Sequence, residues 1–310
     1  MTLFCSECSR EVGEQLFATA SRVDQWLLLE YAGVWGGKAI PESDLAPEIK
    51  ARLMGWANIM PNTETSFIKQ GDQQKIGAKI RFFVALTSET YPVLYKFELD
   101  TYESLLTFDL EAVLRRDSQF AANIERDPIL LICTNGRRDV SCAKYGLPIY
   151  NAFAAQTPGW AWQVTHFGGH RFAGTLTMLP DGIMYGRVDV DDVPELIEAQ
   201  RDRYVVIEKL RGRSCYDEPI QAADYYLRGI TGERTITGLR FVSIREEGES
   251  AWSVRFDSLA DHQRYEVHVR SELSTWVSYK SSSDSEPRQL PQFHFVEHHE
   301  VKRKAPRCEG

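Results

Sequence analysis

The sequence predicts an α/β protein in which one order of elements, strand, helix, strand, strand, occurs twice and is followed by a small antiparallel β region. Two observations carry that prediction. Apolar runs such as Trp26-Leu27-Leu28-Leu29 and Ile129-Leu130-Leu131-Ile132 are too short for buried helices and stand near Gly-containing turns, so they read as buried strands. From Gly238 onward the pattern turns to β, with polar turns between short apolar-containing segments, as in an antiparallel sheet.

In chain order, a helical pattern runs from Cys5-Ser6-Glu7-Cys8 through Leu16 and Phe17. The first strand covers 25–30 and closes in the turn-rich Ala32-Gly33-Val34-Trp35-Gly36-Gly37. A short helix at 47–54 precedes strands at 80–86 and 93–99, which together give a thioredoxin-like order. The second third repeats it: strand 129–133, a loop with two cysteines, helix 144–156, strand 162–165 and a loop with two histidines. Strands at 174–178 and 183–188 flank Pro180-Asp181-Gly182, whose Pro and Gly supply the angles of a hairpin turn. Asp191 and Asp192 cap a helix that begins at Val193-Pro194 and runs to about Arg203. Residues 220–228 are helical, and strands at 239–245, 251–256, 264–269 and 276–279 form the last sheet. Residues 281–286 read as a mobile loop and 302–310 as a frayed tail. The expected units are 1–120, 121–232 and 233–310, the first a degenerate version of the second.

Composition narrows the function. With 43% hydrophobic and 26% charged residues among 310, the chain buries a sizeable core in two or three units. A net charge of −8 argues against a nucleic-acid partner. The charge is uneven: residues 129–215 hold ten Lys/Arg against nine Asp/Glu, whereas residues 1–120 hold twelve against seventeen. No apolar run reaches the roughly 18 residues a membrane span requires, and MTLFCSECSREVGEQ lacks the features of a signal peptide, so a cytoplasmic protein without a membrane partner is expected. In a reducing compartment the six cysteines favour metal or redox roles over disulfides.

Four candidate metal ligands stand between Cys133 and His170: Cys133, Cys142, His166 and His170. The cysteines are nine positions apart, the histidines four apart around Gly168-Gly169. Each pair leaves the carboxyl end of an expected strand, where side chains from neighbouring parallel strands converge. Two thiolates and two imidazoles complete the shell of a zinc ion, or replace half the thiolates of an iron-sulfur cluster. Taken singly, a buried cysteine is commonly just a small apolar residue, and an isolated histidine is commonly a hydrogen-bonded one. The coherent set of four points to a metal.

The blocks Cys133-Thr-Asn-Gly-Arg-Arg-Asp139-Val-Ser-Cys142, His166-Phe-Gly-Gly-His170-Arg-Phe-Ala-Gly174 and Met184-Tyr-Gly-Arg-Val188 resemble the sucrase/ferredoxin-like family. Cys5 to Ser9, Trp26-Leu27 and Arg211 to Arg213 extend the resemblance over about residues 5–228, leaving the C-terminal β region outside it. It implies thioredoxin-like ferredoxin domains, with a [2Fe–2S] cluster held by Cys133, Cys142, His166 and His170. In thioredoxin-like ferredoxins with four cysteine ligands, the last two are spaced as these histidines are. Ser141 departs from the pattern, standing where many relatives have a further cysteine, and Cys215 is not expected to ligate. The sucrase label finds no support: glycoside hydrolysis needs two carboxylates about 5 to 10 Å apart, and no pair stands out among 44 acidic residues.

Around these ligands, Gly168 and Gly169 let the backbone curl so that both histidines reach one iron and bring N–H groups towards the sulfides. Arg137, Arg138 and Arg171 either offset cluster charge and face a redox partner protein or form a solvated basic edge. Asp139 anchors Arg138 or orients the loop. The reading is thus a non-enzymatic electron carrier or redox sensor. Two ferric ions, two sulfides and two thiolates sum to zero charge, whereas four thiolates give −2, so histidine ligation raises the potential. Rieske centres show the size of that effect, at roughly −150 to +300 mV against about −400 mV for plant-type clusters. The rivals are a structural Cys2His2 zinc protein and a thiol oxidoreductase using Cys5 and Cys8, although such a pair normally follows a strand. The redox partner and the oligomeric state are left open.

Overall fold

The computed structural model describes residues 4–71 and 78–301. After a short helix α1 (Cys5–Glu11), the first half runs β1 (Gln25–Glu30), α2 (Pro47–Ile59), β2 (Thr63–Lys69), β3 (Ile80–Leu86) and β4 (Val93–Leu99). A short α3 (Leu110–Leu114) and the two-residue β5 (Ile124–Glu125) lead to the second half. This runs β6 (Ile129–Cys133), α4 (Val140–Gln156), β7 (Ala161–Val164), β8 (Leu176–Leu179) and β9 (Ile183–Tyr185), followed by α5 (Val193–Asp202) and β10 (Leu210–Arg213). The two halves repeat one pairing scheme. β1 lies parallel to β2 and antiparallel to β3, which pairs with β4; β6 lies parallel to β7 and antiparallel to β8, which pairs with β9. Antiparallel pairing of β2 with β7 joins them into one mixed sheet, in the order β10-β9-β8-β6-β7-β2-β1-β3-β4-β5.

Side-chain alternation gives that sheet two cores. On one face, Leu53 and Trp56 of α2 pack with Leu27, Phe67 and Phe82, and Ile149 and Phe153 of α4 pack with Leu130 and Ile132. The residues between them on the strands, Trp26, Leu28, Phe83, Leu131, Trp162 and Val164, form a core common to both halves, and Cys133 and Cys142 belong to it. Helix α6 (Glu218–Thr231) then carries a separate antiparallel sheet of β11 (Leu239–Gly248), β12 (Ala251–Ser258), β13 (Arg264–Leu273) and β14 (Pro291–Glu300). Its inner residues Val254, Phe256, Val267 and Val269 bury against Ile220, Ala223 and Leu227 of α6.

Several expectations are corrected. Helix α1 ends at Glu11, so Leu16 and Phe17 lie in irregular chain. Helix α2 extends five residues past Met54, and β2, which the sequence did not disclose, is the strand that joins the halves. Its Thr-Glu-Thr-Ser opening alternates too weakly to announce a strand, and its order comes from β1 and β7 on either side. Residues 276–279 are not a strand; the fourth strand of the small sheet is β14. Ser281 and Ser282, in the stretch expected to be a mobile loop, are tied to the molecule by hydrogen bonds to Asp139. Residues 302–310, expected to fray, lie outside the described residues.

Candidate metal centre

Cys133 ends β6, and Val164, its partner in register, ends the parallel β7. The two loops that follow therefore leave the same end of the sheet side by side. In the first loop Asn135 closes a turn, its side chain accepting from Arg137 N and its carbonyl from Arg138 N and Asp139 N. Asp139 then caps α4, accepting from Ser141 N at 2.9 Å. Cys142 thus sits in the first turn of the helix and not in a loop, because α4 begins four residues earlier than its apolar pattern showed. Helix and strand touch closely: Gly146 lies one turn after Cys142, and a Cβ there would meet the Cys133 carbonyl oxygen at 2.0 Å.

In the second loop Gly168 and Gly169 adopt φ of +94° and +79°, the left-handed region that glycine enters without strain. This brings His170 back over His166, with rings stacked at 5.0 Å and Nδ1 of His170 3.3 Å from Nε2 of His166. Nδ1 of His166 lies 3.5 Å from Sγ of Cys133. Donor atoms of Cys133, Cys142 and His166 all fall within 4.8 Å of one another. Both thiols are buried, and His170 is 12% exposed at its side chain. A hydrogen bond from Cys142, opposed by burial and helped by His166, pulls the Cys133 thiol down to about 5, while the same bond and burial push Cys142 up. Of the two, Cys133 is the more readily ionised thiol and Cys142 its hydrogen-bond donor. Binding to a cation would remove that donor proton.

Asp139, Cys5 and Arg211, none of them expected as ligands, complete the surroundings. Asp139 approaches Nε2 of His170 at 3.8 Å and holds Ser282 through backbone N–H and hydroxyl, both at 2.9 Å. Its partners are thus Ser141, Ser281, Ser282 and His170 rather than Arg138. Although burial acts to raise it, the backbone N–H groups of Ser282 and Ser141 together with His170 hold the carboxyl below its ordinary range. Cys5, weighed above only as half of a thiol-oxidoreductase pair, is buried with Sγ 3.6 Å from Asp139 Oδ2 and 3.7 Å from Ser141 Oγ. One donor atom each of Cys5, Asp139 and His170 also lie within 4.8 Å of one another. Behind the histidine loop, Arg211 is 1% exposed and enters none of the ion pairs among the described residues. It donates to Thr19 and to the Gly168 carbonyl, the latter at 3.4 Å. The Arg-Gly-Arg segment was the sequence signal for it.

The basic residues divide. Arg171 is paired with Glu14 at 2.7 Å, whereas Arg137 and Arg138 are exposed beside the centre. A cleft of about 380 Å³ lined by Glu64, Ser66, Asn135, Arg138, Thr165 and His166 opens on the histidine side. Within it burial raises the Glu64 carboxyl to about 7, against the pull of Ser66 and His166.

The sucrase/ferredoxin-like family matches residues 16–212, a stretch that contains all four candidate ligands and both halves of the large sheet. The chain belongs to that family. A curated relative, altered inheritance of mitochondria protein 32 from Meyerozyma guilliermondii, is 32% identical over 97 residues, which is 28% of this chain and 34% of that protein. Two solved structures are similar over 27% of this chain and 97% of theirs, each with a TM-score of 0.25. Both are cysteine-to-serine variants of the thioredoxin-like [2Fe–2S] ferredoxin from Aquifex aeolicus, at 16% and 21% identity. The small sheet and the whole of α6 lie beyond the family match.

The metal-free centre should be acid-sensitive. Burial lowers the His170 imidazole to about 4, against the attraction of Asp139 and with help from His166 and Arg138. A folded-state pKa below the unfolded one means that the unfolded chain binds the extra proton. The stability this group contributes is therefore complete above about pH 6.5 and lost as pH falls towards 4. Melting temperatures of the metal-free protein between pH 7 and 4.5 should fall less steeply for His170→Gln than for the parent. Equal slopes would assign the acid sensitivity to another group.

Proposed function

We propose that the chain is an iron-sulfur protein for one-electron transfer or redox sensing, with a [2Fe–2S] cluster held by Cys133, Cys142, His166 and His170. The observation that carries the reading is the convergence of two buried thiols and two imidazoles where the loops after two parallel strands meet. The donor set fits the group: Cys133 is disposed to be a thiolate, the facing ring nitrogens of His166 and His170 lie 3.3 Å apart, and the glycine turn holds them there. When bound, the cluster would supply a one-electron acceptor. The chain's own residues would ligate it, bury it beneath α1 and the loop around Ser282, and present Arg137 and Arg138 to the acidic surface of a redox partner protein.

Anaerobically purified protein should contain about two irons and two acid-labile sulfides per chain. Cys142→Ser should reduce both to background. The close grouping of Cys133, Cys142 and His166 also suits a single tetrahedral zinc ion. Stoichiometric zinc without sulfide, from iron-replete cells, would establish that reading instead.

The thiol-oxidoreductase alternative fares worse. Burial is the main reason that the Cys5 thiol is raised to about 11, and Cys8 is raised as well, so neither is a ready nucleophile. Replacing both Cys5 and Cys8 by serine should leave the visible spectrum of the parent intact. Because Cys5 lies so near His170, loss of colour in that variant would move Cys5 into the ligand set.

A further inference from the structure

The small sheet carries a second group of metal-ligating side chains, far in sequence from the first. In the β13–β14 ladder Glu266 stands opposite His299, and His268 opposite Glu297. Directly paired residues share a face, so His268, Glu297 and His299 project together. The alternate face, with Val267 and Val269, is the one buried against α6. A bulge makes this register: Val269 pairs with Phe295 and His268 with Glu297, leaving Val296 as the extra residue.

One donor atom from each of His268, Glu297 and His299 lies within 4.8 Å of the other two. The imidazoles meet edge to face with centroids 5.7 Å apart, and Nε2 of His299 is 3.4 Å from Glu297 Oε2. Nδ1 of His268 is held at 2.7 Å by Glu247. A carboxylate there takes the ring N–H and leaves Nε2 with its lone pair, the pairing that orients histidine ligands in metal sites. His268 is 17% exposed at its side chain and so comes partly desolvated, while Glu297 and His299 are open to solvent.

We propose that His268, Glu297 and His299 bind a divalent first-row transition ion, oriented by Glu247 and completed by water. Two imidazole nitrogens and one carboxylate favour zinc, nickel or copper over magnesium or calcium, which prefer oxygen ligands. The site shares no residue with the Cys133–His170 centre, which lies on the other sheet.

The test is zinc titration of the full-length protein in its purified form, by calorimetry and by competition with a chromogenic chelator. The parent should take up one saturable zinc equivalent beyond whatever metal the cysteine centre holds. His268→Gln/His299→Gln should lose that equivalent, and Glu247→Gln should weaken it by roughly tenfold or more. His294→Gln/His298→Gln, on the same strand but outside the group, should keep it. No saturable uptake by the parent would overturn the proposal. So would uptake unchanged in the His268/His299 variant, or uptake lost in the His294/His298 variant, since either would place the zinc elsewhere. The visible spectrum and sulfide content report separately on the iron-sulfur reading, so each can fail without the other.

Discussion

Above the pKa of its ligating imidazoles, the reduction potential of the cluster-loaded protein is expected to fall by about 59 mV per pH unit for one proton per electron. A ligating ring keeps an N–H on its other nitrogen, and ferric iron draws density from it, so the proton leaves more readily in the oxidised state. Reduction adds negative charge and restores the proton, which couples the two uptakes. In this site Nδ1 of His170 faces His166 and its Nε2 faces Asp139, so the carboxylate retains the Nε2 proton. Asp139→Asn keeps a capping oxygen but removes the charge, and should move the onset of the slope to lower pH. His166→Cys/His170→Cys removes both rings and makes the cluster two charges more negative, so its potential should be lower and nearly independent of pH. Redox titrations from neutral to alkaline pH measure all three proteins. A flat profile in the parent, or the same slope in the cysteine variant, would remove these histidines from the redox-linked role.

Gly146→Ala should be among the most damaging single changes outside the ligands. The added methyl would sit 2.0 Å from the Cys133 carbonyl oxygen and 3.1 Å from its carbon, both backbone atoms of a central strand that cannot swing aside. Helix α4 must then lift from β6. Overpacking of this kind costs about 1 to 3 kcal/mol and sometimes more. Because Cys142 is four residues earlier on the same helix, its thiol should also withdraw from Cys133. The expected result is a lower melting temperature together with loss of bound metal. Gly55→Ala in α2 and Gly229→Ala in α6 are the controls, since a Cβ at either meets nothing within 4 Å. In those helices alanine should be neutral or stabilising by up to about 1 kcal/mol. A Gly146→Ala protein that melts and binds metal like the parent would show that α4 and β6 are not in rigid contact.

The sequence by itself determined most of the strands of the large sheet and singled out the four candidate ligands. Apolar runs such as Trp26 to Leu29 and Ile129 to Ile132 must be buried wherever they lie, so they are readable one at a time. The four ligand candidates were legible for a related reason. Cysteine and histidine pairs that follow strands carry their meaning in local spacing, and the glycine pair between the histidines announces the turn that brings their rings together. Tertiary structure alone decided what depends on distant partners. Strand β2 has little apolar alternation of its own and exists because β1 and β7 offer it hydrogen bonds on both edges. Residues 281 and 282 look like solvated loop, yet Asp139, more than 140 positions earlier, gives their donors an acceptor. Cys5 reaches the centre, and Arg211 lies buried behind it, through contacts separated by more than a hundred residues. Gly146 is the plainest case. In sequence it is an unfavourable residue inside a helix, and only the approach of the Cys133 carbonyl shows why no side chain fits there.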